Sequence, residues 1–291
     1  MISIYQIHLS FTDFWPGFNP TNNFLLDLFK KIYSGVSTRT TVQNADVLIY
    51  SCFGNNHQHI TNSNILKIFY TGENLRPNFN ACNYSLSFDF DDYNGRNIRL
   101  PLWLLYIDWF NKGKEYGNPI PVLSPDKLEN NEYFNMPKTK FCCLVNRHLA
   151  NDRNTIIQHL SNYKQLGLYG APFGNTIVTG EDSKYKTIAD YKFNICFENA
   201  NYPGYHTEKL LHAKSAGCIP IYNGAKTVEQ DFNKECFINY QDFNNMDDFC
   251  QYIKEIDNND DLYNKIKNQP LFTSPISLDK TMESISKLLS I

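Results

Sequence analysis

The stretch Tyr191 to Gly224, YKFNICFENANYPGYHTEKLLHAKSAGCIPIYNG, decides how the whole chain is read. Phe193, Ile195 and Phe197 alternate with Lys192, Asn194 and Cys196, the period of a strand. Pro203 and Gly204 punctuate a loop, Thr207 stands where a helix N-cap belongs, and Gly217 stands where that helix should end. A second apolar run, Cys218 to Tyr222, follows at once. Strand, loop, helix and strand form the repeating unit of a parallel sheet covered by helices. In open sheets of that kind ligands sit beyond the carboxyl ends of the strands, so this loop and helix start lie where a ligand belongs.

Working outward, the same alternation fills most of the 291 residues. Toward the N-terminus, Ile2 to Leu9, Asp46 to Phe53 and Leu66 to Thr71 read as strands. Asn23 to Tyr33 reads as a helix with Phe24, Leu25, Leu28, Phe29 and Ile32 on one side. Residues 113–136 are rich in Gly, Pro, Asn and charge without a sustained period, which marks an interdomain linker. Beyond it the pattern restarts with strand Phe141 to Val145, a helix from about Asp152 to Tyr163 and strand Leu166 to Tyr169. Leu278, Met282, Ile285 and Leu288 recur at helical spacing near the C-terminus, in a segment of balanced charge that should pack on the body of the protein. The expected fold class is therefore α/β, with two Rossmann-like domains, residues 1–136 and 137–291, facing a cleft.

The composition excludes several classes. A net charge of −3 provides no general field for nucleic acid or an anionic membrane, so any phosphate must be gripped locally. The eight cysteines include no C-x-x-C pair, and Cys52, Cys142, Cys143, Cys196 and Cys218 sit in or beside apolar runs, as buried thiols do. Met1 to Phe11 alternates like a strand and lacks the basic start of a signal peptide. The greasiest segment, Leu100 to Phe110, is too short to cross a bilayer and contains Asp108. These features point to a cytoplasmic chain with at most peripheral contact at the inner membrane. His8, His57, His59, His148, His159, His206 and His212 show no zinc spacing, and neither a Walker loop nor a G-x-S-x-G elbow occurs.

Charge placement is more informative. Lys209 falls in the first turn of its helix, where the macrodipole opposes a cation by about 0.3–1 kcal/mol. Arg153 repeats the conflict if Asn151 or Asp152 caps its helix. Two cations at two helix starts after strands make a diphosphate clamp, because amides and side chains would face one anion. Each could instead project into solvent, or pair with Asp152, Glu208 or a neighbouring acid. Glu208 is expected in a first turn for stability alone. Asn199 and Tyr205 could be turn residues or ligand contacts. Glu73 emerges at a strand end, where partial burial would fit a carboxylate for general-base work, although a loop glutamate is usually solvated. Asp89, Asp91 and Asp92 read as a capped turn ahead of a D-x-D metal site.

These residues carry a family resemblance. The F-N-I-C-F-E-N, G-Y-H-T-E-K and C-I-P-I-Y-N-G blocks of Tyr191 to Gly224 resemble the signature region of the α-1,3-fucosyltransferases of glycosyltransferase family 10, bacterial members in particular. FYTGENLRPNFN from Phe69 to Asn80, SFDFDDYNGRNIRLP from Ser87 to Pro101, and Phe141 to Asn146 are similar to further blocks, in colinear order. The resemblance implies a GT-B fold with an N-terminal acceptor domain and a C-terminal domain for GDP-fucose. It implies Glu73 as general base, Arg153 and Lys209 on the diphosphate, Asn199 and Tyr205 on the nucleotide, and Glu208 on fucose or ribose hydroxyls.

The implied reaction is an inverting transfer to the 3-hydroxyl of N-acetylglucosamine in a β-galactosyl disaccharide. It requires no cofactor beyond the donor, a divalent cation serving at most as a stimulant. The rival readings are a metal-dependent glycosyltransferase built on Asp89, Asp91 and Asp92, and a non-catalytic binder of nucleotide sugars or glycans. Two departures stand out. The segment between Asn146 and Arg153 is short, so Arg147 could share or replace the role of Arg153, and His206 stands where a small aliphatic residue is usual.

Overall fold

The computed structural model describes residues 6–113, 116, 123–147, 151–174 and 183–288. The chain divides into two compact units, and the second begins earlier than the sequence suggests. Unit one comprises Met1–Leu105, Trp109–Gly117 and Ser277–Ile291; unit two comprises Tyr106–Asp108 and Asn118–Ile276.

Unit one starts with β1 (Ile7–Thr12), helix α1 (Phe24–Ile32) and β2 (Val36–Thr38), and continues with β3 (Val47–Tyr50), β4 (Leu66–Tyr70), β5 (Tyr84–Ser87) and β6 (Asn97–Arg99). All pairings are parallel, in the order β2-β1-β3-β4-β5-β6. Asn23 caps α1 by accepting a hydrogen bond from the Leu26 amide, a cap contributing about 1 kcal/mol. The helix buries Leu25, Leu28 and Phe29 as its spacing predicts, each removing about 1.5–3 kcal/mol of apolar exposure. From β1 the chain turns to β2 on one side, then returns to β3 on the other. The carboxyl ends of β1 and β3 therefore form this sheet's topological switch point.

Unit two is built from β7 (Lys140–Val145), α2 (Asn151–Ser161), β8 (Leu166–Tyr169), α3 (Ser183–Ile188), β9 (Tyr191–Phe197), α4 (Glu208–Ser215), β10 (Ile219–Asn223), β11 (Ile238–Asn239), α5 (Met246–Asp257) and α6 (Asp260–Lys267). Its parallel sheet runs β11-β10-β9-β7-β8, so the strand order reverses between β7 and β9. Phe193, Ile195, Phe197, Ile219 and Ile221 from the two central strands share one core with Ile156 and Leu160 of α2 and Phe249 and Ile253 of α5.

Three expectations need correction. Of the expected linker, residues 113 and 116 belong to unit one and residues 123–136 to unit two, where Leu128 and Tyr133 are buried; just beyond it, the Lys138 ammonium donates to the carbonyls of Ala189 and Ala216 at 2.5 and 2.6 Å. Those carbonyls lie just past α3 and α4, so this lysine caps two helix ends. Two apolar anchors without a period look like loop in sequence, which is why the boundary at 136/137 was misplaced. The last helix, α7 (Asp279–Leu288), belongs to unit one, where the Tyr33 hydroxyl donates to the Ile285 carbonyl at 3.1 Å. Finally, Asn151 and Asp152 lie inside α2, so the residue capping it falls outside the described residues. All eight cysteines are free thiols, seven of them buried. Among the described residues no helix is long and apolar enough to cross a membrane.

Candidate active site

Strand β9 is buried along nearly its whole length and delivers Glu198 to the carboxyl edge of its sheet. The Glu198 carboxylate accepts hydrogen bonds from the Thr207 amide at 2.8 Å and from the Thr207 hydroxyl at 2.8 and 3.0 Å. Its Oε2 accepts from the Lys209 ammonium at 2.8 Å. Thr207 occupies the N-cap of α4 without capping it through its own oxygen. A buried glutamate provides negative charge at the positive end of the helix instead. The electrical conflict of Lys209 is thus relieved inside the protein by Glu198, which the sequence argument did not identify.

Burial alone would lower the Lys209 pKa, but Glu198 and Glu208 raise it above the ordinary value. For Glu208, burial would raise the pKa, and the ammonium groups of Lys209 and Lys184 reverse this, holding the carboxyl at about 2.

Arg153, in the first turn of α2, is almost completely buried. Its Nη2 donates to the Phe197 carbonyl at 2.6 Å and to the Asn199 side-chain oxygen at 2.8 Å. Arg153 and Asn199, paired by expectation only as ligands of one nucleotide, are therefore in direct contact. Burial pulls the Arg153 guanidinium down from its ordinary value, and the charge of Glu198 opposes this. Arg153 and Lys209 converge on the end of β9 from two sides, with Glu198 between them. Tyr205 is buried in the same loop, close enough to influence the protonation of both cations. Arg147 is exposed just past β7; its backbone amide bonds the Asn146 side chain, and no hydrogen bond or ion pair links it to the cluster among the described residues.

In unit one, Glu73 lies just past β4. The Thr71 hydroxyl accepts from the Glu73 amide at 3.0 Å and donates to its carbonyl at 3.1 Å, which fixes the backbone. A Cβ at Gly72 would lie 2.8 Å from a Leu102 methyl, so the turn packs closely against that side chain. The carboxylate itself is exposed, so this unit does not supply the partial burial expected of a base.

Asp89, Asp91 and Asp92 form the capped turn. Asp91 accepts from the Tyr93 amide and Asp92 from the Asn94 amide, at 2.8 and 3.0 Å. Asp89 is buried against the Tyr93 hydroxyl at 2.9 Å, and Tyr93, Asn94 and Gly95 all have positive φ. Among the described residues no group of three or more His, Cys, Asp or Glu side chains is arranged to hold a metal ion.

Comparison with known proteins decides the family. Residues 9–106 match the α-(1,3)-fucosyltransferase FucT N-terminal domain, and residues 135–268 match the C-terminal domain of the glycosyltransferase family 10 fucosyltransferases. The chain belongs to glycosyltransferase family 10. An α-(1,3)-fucosyltransferase FucT of Helicobacter pylori is 30% identical over 279 residues, covering 86% of this chain and 57% of the relative. A 4-galactosyl-N-acetylglucosaminide 3-α-L-fucosyltransferase 9 of Mus musculus is 33% identical over 135 residues, 45% of this chain and 37% of the relative. This family-10 chain thus spans about half the length, or less, of these curated relatives. A crystal structure of an α1,3-fucosyltransferase superimposes with a TM-score of 0.76 at 23% identity, covering 100% of this chain and 92% of the other. Another, with GDP-fucose, gives 0.75 at 22% identity, covering 98% and 91%. The fold is therefore the GT-B type of those enzymes.

Within the family-10 chain, sequence reasoning missed three further members of the cluster. One is Glu198. The others are Lys184 on α3 and His212 on α4, whose Nδ1 faces the Lys184 ammonium at 2.8 Å. Lys184 and Lys209 line a small hollow of about 10 Å³ with Asn146 and Phe197. A larger hollow of about 820 Å³ opens beside β8 and contains none of these residues. The unusual His206 is also explained. Its Nδ1 faces the Asp231 carboxylate at 2.6 Å and its Nε2 faces the Thr227 hydroxyl at 3.1 Å, which in turn accepts from the Gly204 amide. Where an aliphatic side chain would only fill space, His206 ties both ends of the Gly204–Thr207 loop to the residues after β10.

Proposed function

We propose that this chain is an α-1,3-fucosyltransferase that moves L-fucose from GDP-fucose to the 3-hydroxyl of N-acetylglucosamine in a β-galactosyl disaccharide, with inversion. Unit one takes the acceptor and unit two the nucleotide sugar. The observation that carries the reading is the convergence of Arg153 and Lys209 on the end of β9, at the switch point of a sheet within the family-10 match. The names of the relatives, which specify fucosyl transfer and a galactosyl-N-acetylglucosaminide, support the donor and acceptor classes.

In this reading Glu73 removes the proton from the acceptor hydroxyl as its oxygen bonds to the anomeric carbon of fucose, while the bond from that carbon to the β-phosphate breaks on the opposite face. Negative charge accumulates on the departing phosphate and is met by Lys209, Arg153 and the amides at the helix starts, which act as fixed dipoles already in place. Asn199 and Tyr205 contact the nucleotide, Glu208 engages hydroxyls of the donor, and Arg147 is an outer phosphate contact. With two resident cations the phosphate charge does not require a metal, and a divalent cation is at most a stimulant.

Incubation with GDP-fucose and a panel of β-1,3- and β-1,4-linked galactosyl-N-acetylglucosamine acceptors, with product linkage read by NMR, tests the proposal. A 3-linked α-fucoside is expected. Absence of transfer to every acceptor overturns it.

A further inference from the structure

At the switch point of the first sheet, the loops leaving β1 and β3 bring together Phe14, Trp15, Phe18 and Phe53. Phe14 stacks on Phe18 with centroids 4.0 Å apart, and the Trp15 ring meets Phe18 and Phe53 edge-on at 5.2 and 6.2 Å. Phe53 is 48% exposed, unlike a ring recruited to the core.

A network of buried hydrogen bonds supports these rings. Asp13 has a left-handed backbone, φ 58°, and a fully buried carboxylate that accepts from the amides of Asn56 and His57 at 2.9 Å and faces the His57 ring nitrogen at 2.7 Å. The Phe53 amide donates to the Asp13 carbonyl at 2.9 Å. A Cβ on Gly54 would lie 2.6 Å from the Asp13 carboxylate, so this approach requires glycine. A buried charge and a residue with left-handed backbone thus join two loops on which Phe53 is exposed and Phe14, Trp15 and Phe18 are half-buried, a construction associated with ligand sites.

We propose that Trp15 and Phe53 form a subsite that stacks the apolar face of a galactose-type pyranose in the acceptor, an inference resting on the reading of Glu73 as base. Galactose suits such a surface because its axial 4-hydroxyl leaves the C–H groups of carbons 3, 4 and 5 on one face. Residues 13–22 and 53–60 contain no Lys or Arg, which disfavours phosphate or an anionic membrane as the occupant, while Asn19, Asn22, Asn55 and Gln58 provide amides for sugar hydroxyls. Position agrees. Thr12 pairs with Tyr50 and Tyr50 with Phe69, so the loops after β1 and β3 and the Thr71–Glu73 turn after β4 leave the same edge. The Phe14 ring stacks over Tyr70, three residues before Glu73, at 6.1 Å. At about 4.8 Å per strand, β1 and β4 are roughly 10 Å apart, the span of a disaccharide.

The test has two arms. In the first, Phe53→Ala and Trp15→Ala are checked by thermal unfolding and by GDP calorimetry. Both should raise the acceptor KM roughly ten- to a hundredfold with GDP affinity held within twofold, and Trp15→Phe should fall between them and wild type. Acceptor KM within twofold of wild type in both folded variants overturns the subsite. The second arm needs no variant to fold. Saturation-transfer NMR on the wild-type protein should label galactose C3, C4 and C5 protons of N-acetyllactosamine but not maltose, and equal labelling of both also overturns the proposal. Selective labelling in a protein that transfers no fucose would refute the enzymatic reading and leave the subsite standing.

Discussion

At the β7–β9 switch point, Arg153 is hydrogen-bonded to Asn199, Glu198 to Thr207 and Lys209, and the charge of Glu198 acts on Arg153, so nearly every group is charged or amide-bearing. At the β1–β3 switch point, the buried contact between the Asp13 carboxylate and the His57 ring lies beneath Phe14, Trp15 and Phe53. Two sheets of the same construction thus present opposite chemistry, one suited to a polyanion and the other to a neutral ring with C–H faces. Sheet topology decides where a ligand can sit, and the loops decide which ligand it is.

The comparison can be broken by substitution, with the largest effect expected in unit one. Glu73→Gln should lower kcat by about two to four orders of magnitude, the usual cost of losing a general base, with GDP affinity by calorimetry unchanged. Normal turnover would remove Glu73 from the mechanism. Lys209→Ala should lower kcat/KM for GDP-fucose by about 10²–10³-fold, comparable to deleting one preorganised donor to a developing anion. It should also lower the unfolding temperature, because the buried Glu198 carboxylate would lose its ammonium partner. An unchanged GDP affinity would end the clamp idea.

Smaller effects sharpen the contrast. His206→Val should destabilise the protein by about 1–3 kcal/mol in urea unfolding, since the buried Asp231 carboxylate loses its 2.6 Å contact with the His206 ring; His206→Val with Asp231→Leu should recover part of that loss. Additive losses would show that the pair is not coupled. The smallest effect concerns acid stability. Glu208 is held at about 2 against an ordinary 4.5. Its contribution is therefore complete above pH 4.5 and disappears as the pH falls toward 2. The gap in urea midpoint between wild type and Glu208→Gln should be widest at pH 7 and shrink by pH 3, and a constant gap would contradict the ion cluster.

How much of this was legible in the sequence varied with length and period. The elements of Tyr191 to Gly224 and the amphipathic α1 are long enough to show their periodicity, and the structure places them within a residue or two of expectation. Strands β2, β6 and β11, of three, three and two residues, are too short to display alternation and exist because neighbouring strands offer hydrogen-bonding edges. Glu198 was present in the quoted sequence, but an acid after a strand reads the same whether solvated or internal. The first-turn conflict of Lys209 demanded an anion, and Glu198, eleven positions upstream, was the available intramolecular candidate. The aromatic surface was not legible, because Trp15 and Phe53 meet only through strand pairing.

The Glu198–Lys209 pair has one more consequence. If Lys209 holds a diphosphate as proposed, that anion shares an ammonium that already has a resident counter-ion, so competition limits its hold. On the same reading, the lysine returns to Glu198 when spent nucleotide leaves, and no naked buried charge is created. The carboxylate that tempers capture would then ease release, an arrangement for cycling more than for tight retention of product.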